Sequence, residues 1–521
     1  MRRSRAVALA FAVLAAVALA PLPGLSRPGS FALATAAFAA VLWITEGVPL
    51  PATALCVPVL LTAFGVVPTM AEALAGFADP VIFLLLAGFA LAAALQKHGL
   101  DRRIAFHLIA RLGTSPRRLV LAVMTATATL SMIVSNSATT AMMIPVALGV
   151  AGAMGNGATD RVAASDAATG KPGTEDVATD GGVQSNIETA LLLGTAYAAS
   201  IGGMGTLIGT PTNAIVVSLI ESEVGVRVGF VDWLAIGLPL VAISLPAAWL
   251  LLVRLYPPEV GDAGAARAHA RRELAAAGSV SPAGRRTLAI AGTTASLWVL
   301  GGLDFLFEGV LPPGWYATLF GGAGSVVGAT HQGLLFYVLV GLAAVPALLY
   351  WDCIEWDDVE GIDWGTLLLL GGGLALADGL AATDATEWLA AGVFGGLAGA
   401  PVVAVVLTLV TVTVLLSELA SNTAVVAVFA PVLLGVGPRY AGALGTTPDL
   451  AAVFLAVTVG VAASLGFALP VATPPNAIAF GTGALGRREM LRAGSRLDLL
   501  MIGISTAMLL GSFALLWPVV F

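Results

Sequence analysis

The chain has 521 residues, 58% hydrophobic and only 11% charged, with a mean hydropathy of +0.95. A soluble domain carries about a quarter charged residues, which excludes a cytosolic protein. The continuous apolar runs, about 20 residues each, exclude an outer-membrane barrel of roughly ten-residue alternating strands. The net charge of −7, from 31 acids against 24 bases of which only Lys97 and Lys171 are lysines, offers no basic tract for nucleic acid.

Taken in chain order, the first apolar run, 6–22, follows Arg2, Arg3 and Arg5 and imitates a secretory signal peptide. A second run follows at once, so the first reads as a retained span. Further spans are predicted at 31–49, 52–67, 79–96, 188–221, 231–253, 287–306, 333–350, 365–382, 452–483 and 497–519. Two stretches, 119–154 and 401–437, are too long for one crossing and too short for two with a loop. Each reads as a re-entrant hairpin. The segment Gly155 to Glu188 is dominated by Gly, Ala, Ser, Thr and Asp and reads as a disordered cytoplasmic loop, because it offers little apolar surface against chain entropy.

Lysine and arginine concentrate on the cytoplasmic side of membrane proteins. With the N-terminus inside, eleven crossings and both hairpins returning to their own side, only Arg27, Arg227 and Arg439 fall outside. The C-terminus then lies outside, in the plasma membrane. The expected fold is an all-α polytopic membrane protein, an inverted-topology repeat with about eleven transmembrane helices and two re-entrant hairpins. The expected division is 1–78 as N-terminal scaffold helices and 79–230 as a first repeat (hairpin 119–154, loop 155–188, broken helix 188–221). Connecting scaffold helices follow over 231–350, a second repeat over 351–496 (hairpin 401–437, broken helix 452–483) and a C-terminal helix over 497–521.

The repeat is legible in motifs. The first hairpin contains Ser131-Met-Ile-Val-Ser135-Asn136-Ser137-Ala and the second Ser417-Glu-Leu-Ala-Ser421-Asn422-Thr423-Ala, each with a proline ten residues beyond its second serine. Downstream come two Pro-broken spans, Gly209-Thr210-Pro211-Thr212-Asn213 and Ala472-Thr473-Pro474-Pro475-Asn476. By the charge topology the hairpins enter from opposite sides, the ground plan of many secondary transporters. Proline frees a carbonyl one turn earlier, so a Thr-Pro-x-Asn break in mid-membrane exposes ligands that a regular helix hides. Ser, Thr and Asn supply neutral oxygens for a monovalent cation and donors for a carboxylate. No lysine or arginine falls in the four motifs, so an anion there depends on helix dipoles, hydroxyls and bound cations, which points to cation-coupled uptake. Glu418 stands where the first repeat has Met132. It reads either as a proton carrier or, in preference, as an acceptor of backbone N–H groups that holds the hairpin.

These tips and breaks, together with Trp43-Ile-Thr-Glu46-Gly-Val-Pro49-Leu-Pro51 and Gly371-Gly372-Gly373, resemble the divalent anion/sodium symporter family of di- and tricarboxylate and sulfate transporters. The resemblance implies a homodimer in the lipid bilayer, with a scaffold domain and a transport domain that moves as an elevator. It implies one Na⁺ among Ser131, Ser135, Asn136 and the Gly209 backbone, and another among Ser417, Ala420, Asn422 and the Ala472 backbone. Asn136, Ser137, Asn422 and Thr423 would face the substrate, with Thr210, Pro211, Thr473 and Pro474 lining it. The chain departs from the family pattern in Ser137, where threonine is usual, and in Thr212, where proline is usual. Two equivalent donor sets facing each other suit a dicarboxylate of the succinate or malate type, ahead of citrate or sulfate. A sodium-independent anion exchanger on the same fold is the alternative. An enzyme is not expected, since neither hairpin nor break contains a histidine and no organic cofactor is called for.

Overall fold

The structure, a computed structural model, describes residues 3–169, 185–259, 261–326, 332–394 and 400–515. All regular elements among them are helical. The principal helices are α1 (Arg3–Leu19), α2 (Arg27–Thr45), α3 (Leu50–Ala63), α4 (Pro80–Lys97), α5 (Leu100–Leu112), α6 (Pro116–Ser131), α7 (Asn136–Thr169), α8 (Asn186–Gly203), α9 (Pro211–Val224) and α10 (Phe230–Leu255). They continue as α11 (Gly264–Ala276), α12 (Pro282–Gly301), α13 (Tyr337–Tyr350), α14 (Trp364–Ala381), α15 (Ala385–Phe394), α16 (Val402–Ser417), α17 (Asn422–Val436), α18 (Pro448–Ala462), α19 (Pro474–Gly481) and α20 (Arg487–Leu515).

Local chemistry sets many of the helix starts. Asp79-Pro80, Ser115-Pro116, Ser281-Pro282, Thr447-Pro448 and Thr473-Pro474 each place a capping oxygen before a proline at the first helical position. Proline lacks the N–H that would be orphaned there, and its φ is already helical. In each case the cap accepts a backbone N–H from the first turn, as Asp79 Oδ1 does from Val81 at 2.8 Å. Asp79 also receives the Ser218 hydroxyl on Oδ2 at 2.7 Å, tying the start of α4 to α9.

Each predicted span contains a helix. Seven segments among the described residues are long and apolar enough to cross a bilayer. Two of these, Asn136–Met154 and Asn422–Leu444, are second arms of the helix pairs α6–α7 and α16–α17. The first pair breaks at Met132–Ser135 and the second at Glu418–Ser421.

One expectation is corrected. Residues 155–169, read as the start of a disordered loop, continue α7 as far as Thr169. The composition reading weighed only apolar surface, whereas this stretch is rich in alanine, the best helix former. Ser185 then caps α8 by accepting the Glu188 N–H. The rest of the predicted loop, 170–184, lies outside the described residues.

Packing repeats between the two halves and crosses between them. Helices α6 and α7 both lie against α8, as α16 and α17 lie against α18. Across the halves, α9 packs on α17 and α18, while α19 packs on α7 and α8. Each short helix after a break therefore inserts into the opposite half. Trp233, Tyr197, Phe454 and Phe467 are almost wholly buried, and the Tyr197 ring of the first half meets the Phe467 ring of the second with centroids 5.1 Å apart. Outside it, α14 lies along α3 and also touches α17, and α1 packs on α2.

Candidate functional site

At the first tip α6 ends at Ser131 and α7 begins at Asn136, so a helix C-terminus and a helix N-terminus face the same four-residue break. The Ser131 hydroxyl lies 2.7 Å from Asn136 Oδ1 and 2.7 Å from the Ala199 carbonyl of α8. A hydroxyl has one proton. It can donate to only one of these oxygens, so lone pairs converge here without enough hydrogens to pair them. A small cation suits such a cluster. Ser135 Oγ accepts the Ala138 N–H at 3.4 Å, and Thr206 of the neighbouring break donates its hydroxyl to the Met132 carbonyl.

The second tip has the same design. Ser417 Oγ and Asn422 Oδ1, the counterparts of Ser131 and Asn136, are buried and have no hydrogen-bond partner. An unpaired buried acceptor costs about 1–3 kcal/mol, so both oxygens are chemically suited to a metal-ion ligand shell. Ala420 and Ala472 are buried, and a Cβ on Gly466 would meet both the Ser417 carbonyl (3.2 Å) and Ala472 Cβ (3.3 Å), so Ala472 lies near this tip.

The two breaks are superimposable in their chemistry. Thr210 and Thr473 both take extended backbone, with φ, ψ of −144°, 145° and −139°, 150°. The side-chain amide of Asn213 donates to the carbonyls of Gly203 (3.0 Å) and Thr206 (2.7 Å). That of Asn476 donates to Gly466 (3.3 Å) and Leu469 (3.0 Å). The sequence offsets, ten and seven residues back, are identical in the two halves. Each asparagine thus locks the unwound strand that precedes its own helix. Asn213 and Asn476 belong to the motifs, yet motif reading assigned them no role; their equal spacing from the breaks was the available signal.

Thr212, the departure from the usual proline, does not disturb this geometry. Its hydroxyl sits 3.3 Å from Thr210 Oγ1 and 3.3 Å from Ser464 Oγ, which joins the first break to the second. The first break also lies directly under the first tip. A Cβ placed on Gly203 would meet Asn136 Oδ1 at 2.2 Å, and one on Gly209 would meet the Gly203 carbonyl at 2.5 Å. Ser131, Asn136 and the backbone leading to Gly209 are therefore brought together.

Ser135 and Ser137 line a cleft of about 310 Å³ with Phe89, Ala92, Ala93 and Gln96 of α4 and with Asp358 and Asp363. Lys97, at the end of α4, pairs with Asp358 at 2.6 Å and Glu355 at 3.5 Å beside this cleft. The Lys97 ammonium holds the Asp358 carboxyl below the ordinary carboxylate range. Thr423 and Asn422 are half-buried at the other tip. Thr210 and Thr473 are buried, Pro211 is half-buried, and Pro474 is exposed. Glu418 accepts the Ala468 N–H on Oε1 and the Leu469 N–H on Oε2, both at 2.8 Å, which is the geometry of the hairpin-holding reading.

The chain is similar over most of its length to known transporters. An uncharacterized transporter of Haemophilus influenzae is 34% identical over 479 residues, 91% of this chain and 90% of that protein. A sodium-dependent dicarboxylate transporter, SdcS, of Staphylococcus saprophyticus is 31% identical over 92% of this chain and 85% of its own length. Its Staphylococcus aureus namesake is 29% identical over 91% of this chain and 84% of its own. Among solved structures, the YdaH transporter of Alcanivorax borkumensis shares the fold, with a TM-score of 0.53 at 18% identity over 86% of this chain and 88% of that one. The family model for the sodium:sulfate symporter transmembrane region matches residues 2–521. The chain belongs to the sodium:sulfate symporter transmembrane-region family.

Proposed function

We propose that this protein is a sodium-coupled importer of C4 dicarboxylates, such as succinate or malate. The observation that carries the reading is the pair of equivalent tips. Ser131 and Asn136 converge with a shortage of hydrogens, and Ser417 and Asn422 present buried oxygens with no partner. Two neutral oxygen clusters of this kind fit two sodium ions, held by Ser131, Ser135, Asn136 and Gly209 in one case and by Ser417, Ala420, Asn422 and Ala472 in the other. Asn136 with Ser137 and Asn422 with Thr423 then provide one donor set for each carboxylate, with Thr210, Pro211, Thr473 and Pro474 around them. The names of the two staphylococcal relatives support the same coupling ion and substrate class.

The helix pairs act as re-entrant hairpins in a transport domain, and the helices of 1–78 and 231–350 form the scaffold against which it moves as an elevator in a homodimer. The exchange of α9 and α19 between the halves supports one rigid transport unit, since neither broken helix can move without the other half. Residues 170–184 have no counterpart in the second repeat. Replacing them with a short Gly/Ser linker is expected to leave uptake within about twofold, because the ends need only a short connection; loss of uptake in a folded linker variant would refute this.

Proteoliposome uptake of labelled succinate tests the function. Uptake should be concentrative and collapse with the sodium gradient. Succinate should also tighten sodium binding by the factor by which sodium tightens succinate. Sulfate displacing succinate at lower concentration than malate would overturn the substrate class, and succinate exchange that ignores sodium would overturn the coupling.

A further inference from the structure

Two short arginine-rich helices lie side by side on the face that the lysine and arginine count assigns to the cytoplasm. Together α5 and α11 carry six arginines and two histidines against two carboxylates, Asp101 and Glu273. They pack on each other and on α7, the second arm of the first hairpin. Arg103 fixes the pairing by donating to the carbonyls of Ala277, Gly278 (2.8 Å) and Ser279 (3.4 Å), just past the end of α11. Each helix buries a narrow apolar face, Ala105, Phe106 and Ile109 on α5 and Ala266 and Ala270 on α11. Basic amphipathic helices of this kind lie in the headgroup layer of a bilayer.

Between α5, α7 and α11 is a cavity of about 640 Å³, within the range of about 300–1,000 Å³ typical of small-ligand sites. Met142, Pro145, Val146 and Gly149 of α7 line it as one helical stripe. Seven residues of helix rise about 10 Å, so the cavity runs along α7 in the direction of the hairpin tip. Phe106 and Leu274 add to the apolar wall. At the Gly149 end the lining turns basic. A Cβ on Gly149 would meet His269 Nε2 at 3.2 Å, so the missing side chain makes room for this ring.

Two of the basic groups are uncommitted. Arg102 is exposed, and its guanidinium forms no hydrogen bond or ion pair among the described residues. The half-buried His269 stands edge-on to Phe106, with centroids 6.2 Å apart, and its ring nitrogens have no hydrogen-bond partner among the described residues. His98, by contrast, is held by the Cys353 carbonyl at 2.8 Å. Glu273 is the one carboxylate among the lining residues, and it is exposed.

We propose that this cavity seats an anionic phospholipid of the cytoplasmic leaflet, with its phosphate on Arg102 and His269 and an acyl chain along Met142, Pro145 and Val146. Two observations favour a lipid over a free anion. A soluble phosphate would leave the apolar stripe of α7 bare to water, whereas an acyl chain covers it. The basic end also belongs to two headgroup-level helices, and basic pockets between helices on the cytoplasmic side recognise anionic headgroups. A lipid seated there joins α7 to α5 and α11. The proposal does not depend on the substrate or the coupling ion.

The test titrates the melting temperature of the full-length, delipidated protein in detergent with dioleoylphosphatidylglycerol, dioleoylphosphatidylcholine or glycerol phosphate. Phosphatidylglycerol should raise it saturably, as a ligand of the folded state does, and the other two should not. Arg102→Gln should raise the half-saturating phosphatidylglycerol concentration about fivefold, the effect of one arginine near an anionic headgroup. Arg102→Gln with His269→Gln should raise it further. Arg272→Gln, exposed on α11 and outside the cavity, should stay within about twofold of wild type. Where a variant melts too low to titrate, phospholipid retained per protein, counted by mass spectrometry, should follow the same ranking. Equal stabilisation by phosphatidylcholine, or wild-type lipid affinity in Arg102→Gln, would overturn the site. So would an Arg272→Gln variant as weak as Arg102→Gln, which would reduce the effect to diffuse surface charge. Full stabilisation by glycerol phosphate would overturn the lipid in favour of a free anion.

Discussion

Replacing Asn136 or Asn422 by alanine is expected to cut sodium-driven uptake by about an order of magnitude or more, because each loses an oxygen ligand worth about 1–3 kcal/mol. The two variants should differ in the absence of sodium. Asn136 Oδ1 lies 2.7 Å from the Ser131 hydroxyl, whose one proton it shares with the Ala199 carbonyl, so Asn136→Ala removes at most about 1 kcal/mol from the sodium-free fold. Asn422 Oδ1 has no protein partner. Asn422→Ala should therefore melt no lower than wild type in potassium buffer, since it deletes an unsatisfied buried acceptor. Adding sodium should raise the melting temperature of wild type, by the linkage that stabilises any state a ligand prefers, and should raise that of Asn422→Ala much less. Equal sodium shifts in both proteins would refute the ligand role.

The sequence reveals this site because its chemistry is local. Ser131 to Asn136 spans six positions, and Ser417 to Asn422 repeats its two serines and its asparagine at the same spacing. A four-residue break between two apolar helices brings such residues together whatever packs around them. The Thr-Pro starts of α9 and α19 are legible for the same reason, as each sets a threonine at the N-cap position beside a proline, although only Thr473 makes the side-chain capping bond. Sequence reading gave Glu418 its role as an acceptor of backbone N–H groups but not its partners, and it missed the contacts of Asp498 and Thr212, because all of these join distant positions. Glu418 reaches residues about fifty positions on, Asp498 reaches back 31 to Phe467, and Thr212 meets Ser464 across 252. The Thr212–Ser464 contact comes from the exchange of α9 and α19 between the halves, whereas Glu418 and Asp498 reach the second break within their own half. The helix through Thr169 was missed for a different reason. Apolar content measures what a segment can bury, whereas a helix extending from an existing one needs no new nucleus and gains from alanine at each step.

Gly203→Ala is expected to disable the first cation site while leaving the fold intact, and its counterpart Gly466→Ala to be much milder. The distances decide the difference. A methyl on Gly203 would come within 2.2 Å of Asn136 Oδ1, 2.8 Å of Nδ2 and 2.9 Å of Cγ. All three belong to the end of one side chain, which can swing away without moving backbone. It then leaves Ser131, and the oxygen cluster is lost. Neighbouring Gly202 behaves otherwise, because a methyl there meets the Ala128 backbone at 2.3–2.8 Å and forces α8 off α6. On Gly466 the nearest atoms stand at 3.2 Å (Ser417 carbonyl), 3.3 Å (Ala472 Cβ) and 3.4 Å (Glu418 Oε1). Adjustments of a few tenths of an ångström accommodate these. The sodium concentration for half-maximal uptake should therefore rise about tenfold or more in Gly203→Ala and less than about threefold in Gly466→Ala. Without sodium the melting temperature should fall slightly in Gly203→Ala, which loses the Ser131–Asn136 contact, stay close to wild type in Gly466→Ala, and fall further in Gly202→Ala through lost packing. Wild-type sodium dependence in Gly203→Ala would show that Asn136 can leave its place without cost, and would remove that residue from the ligand set.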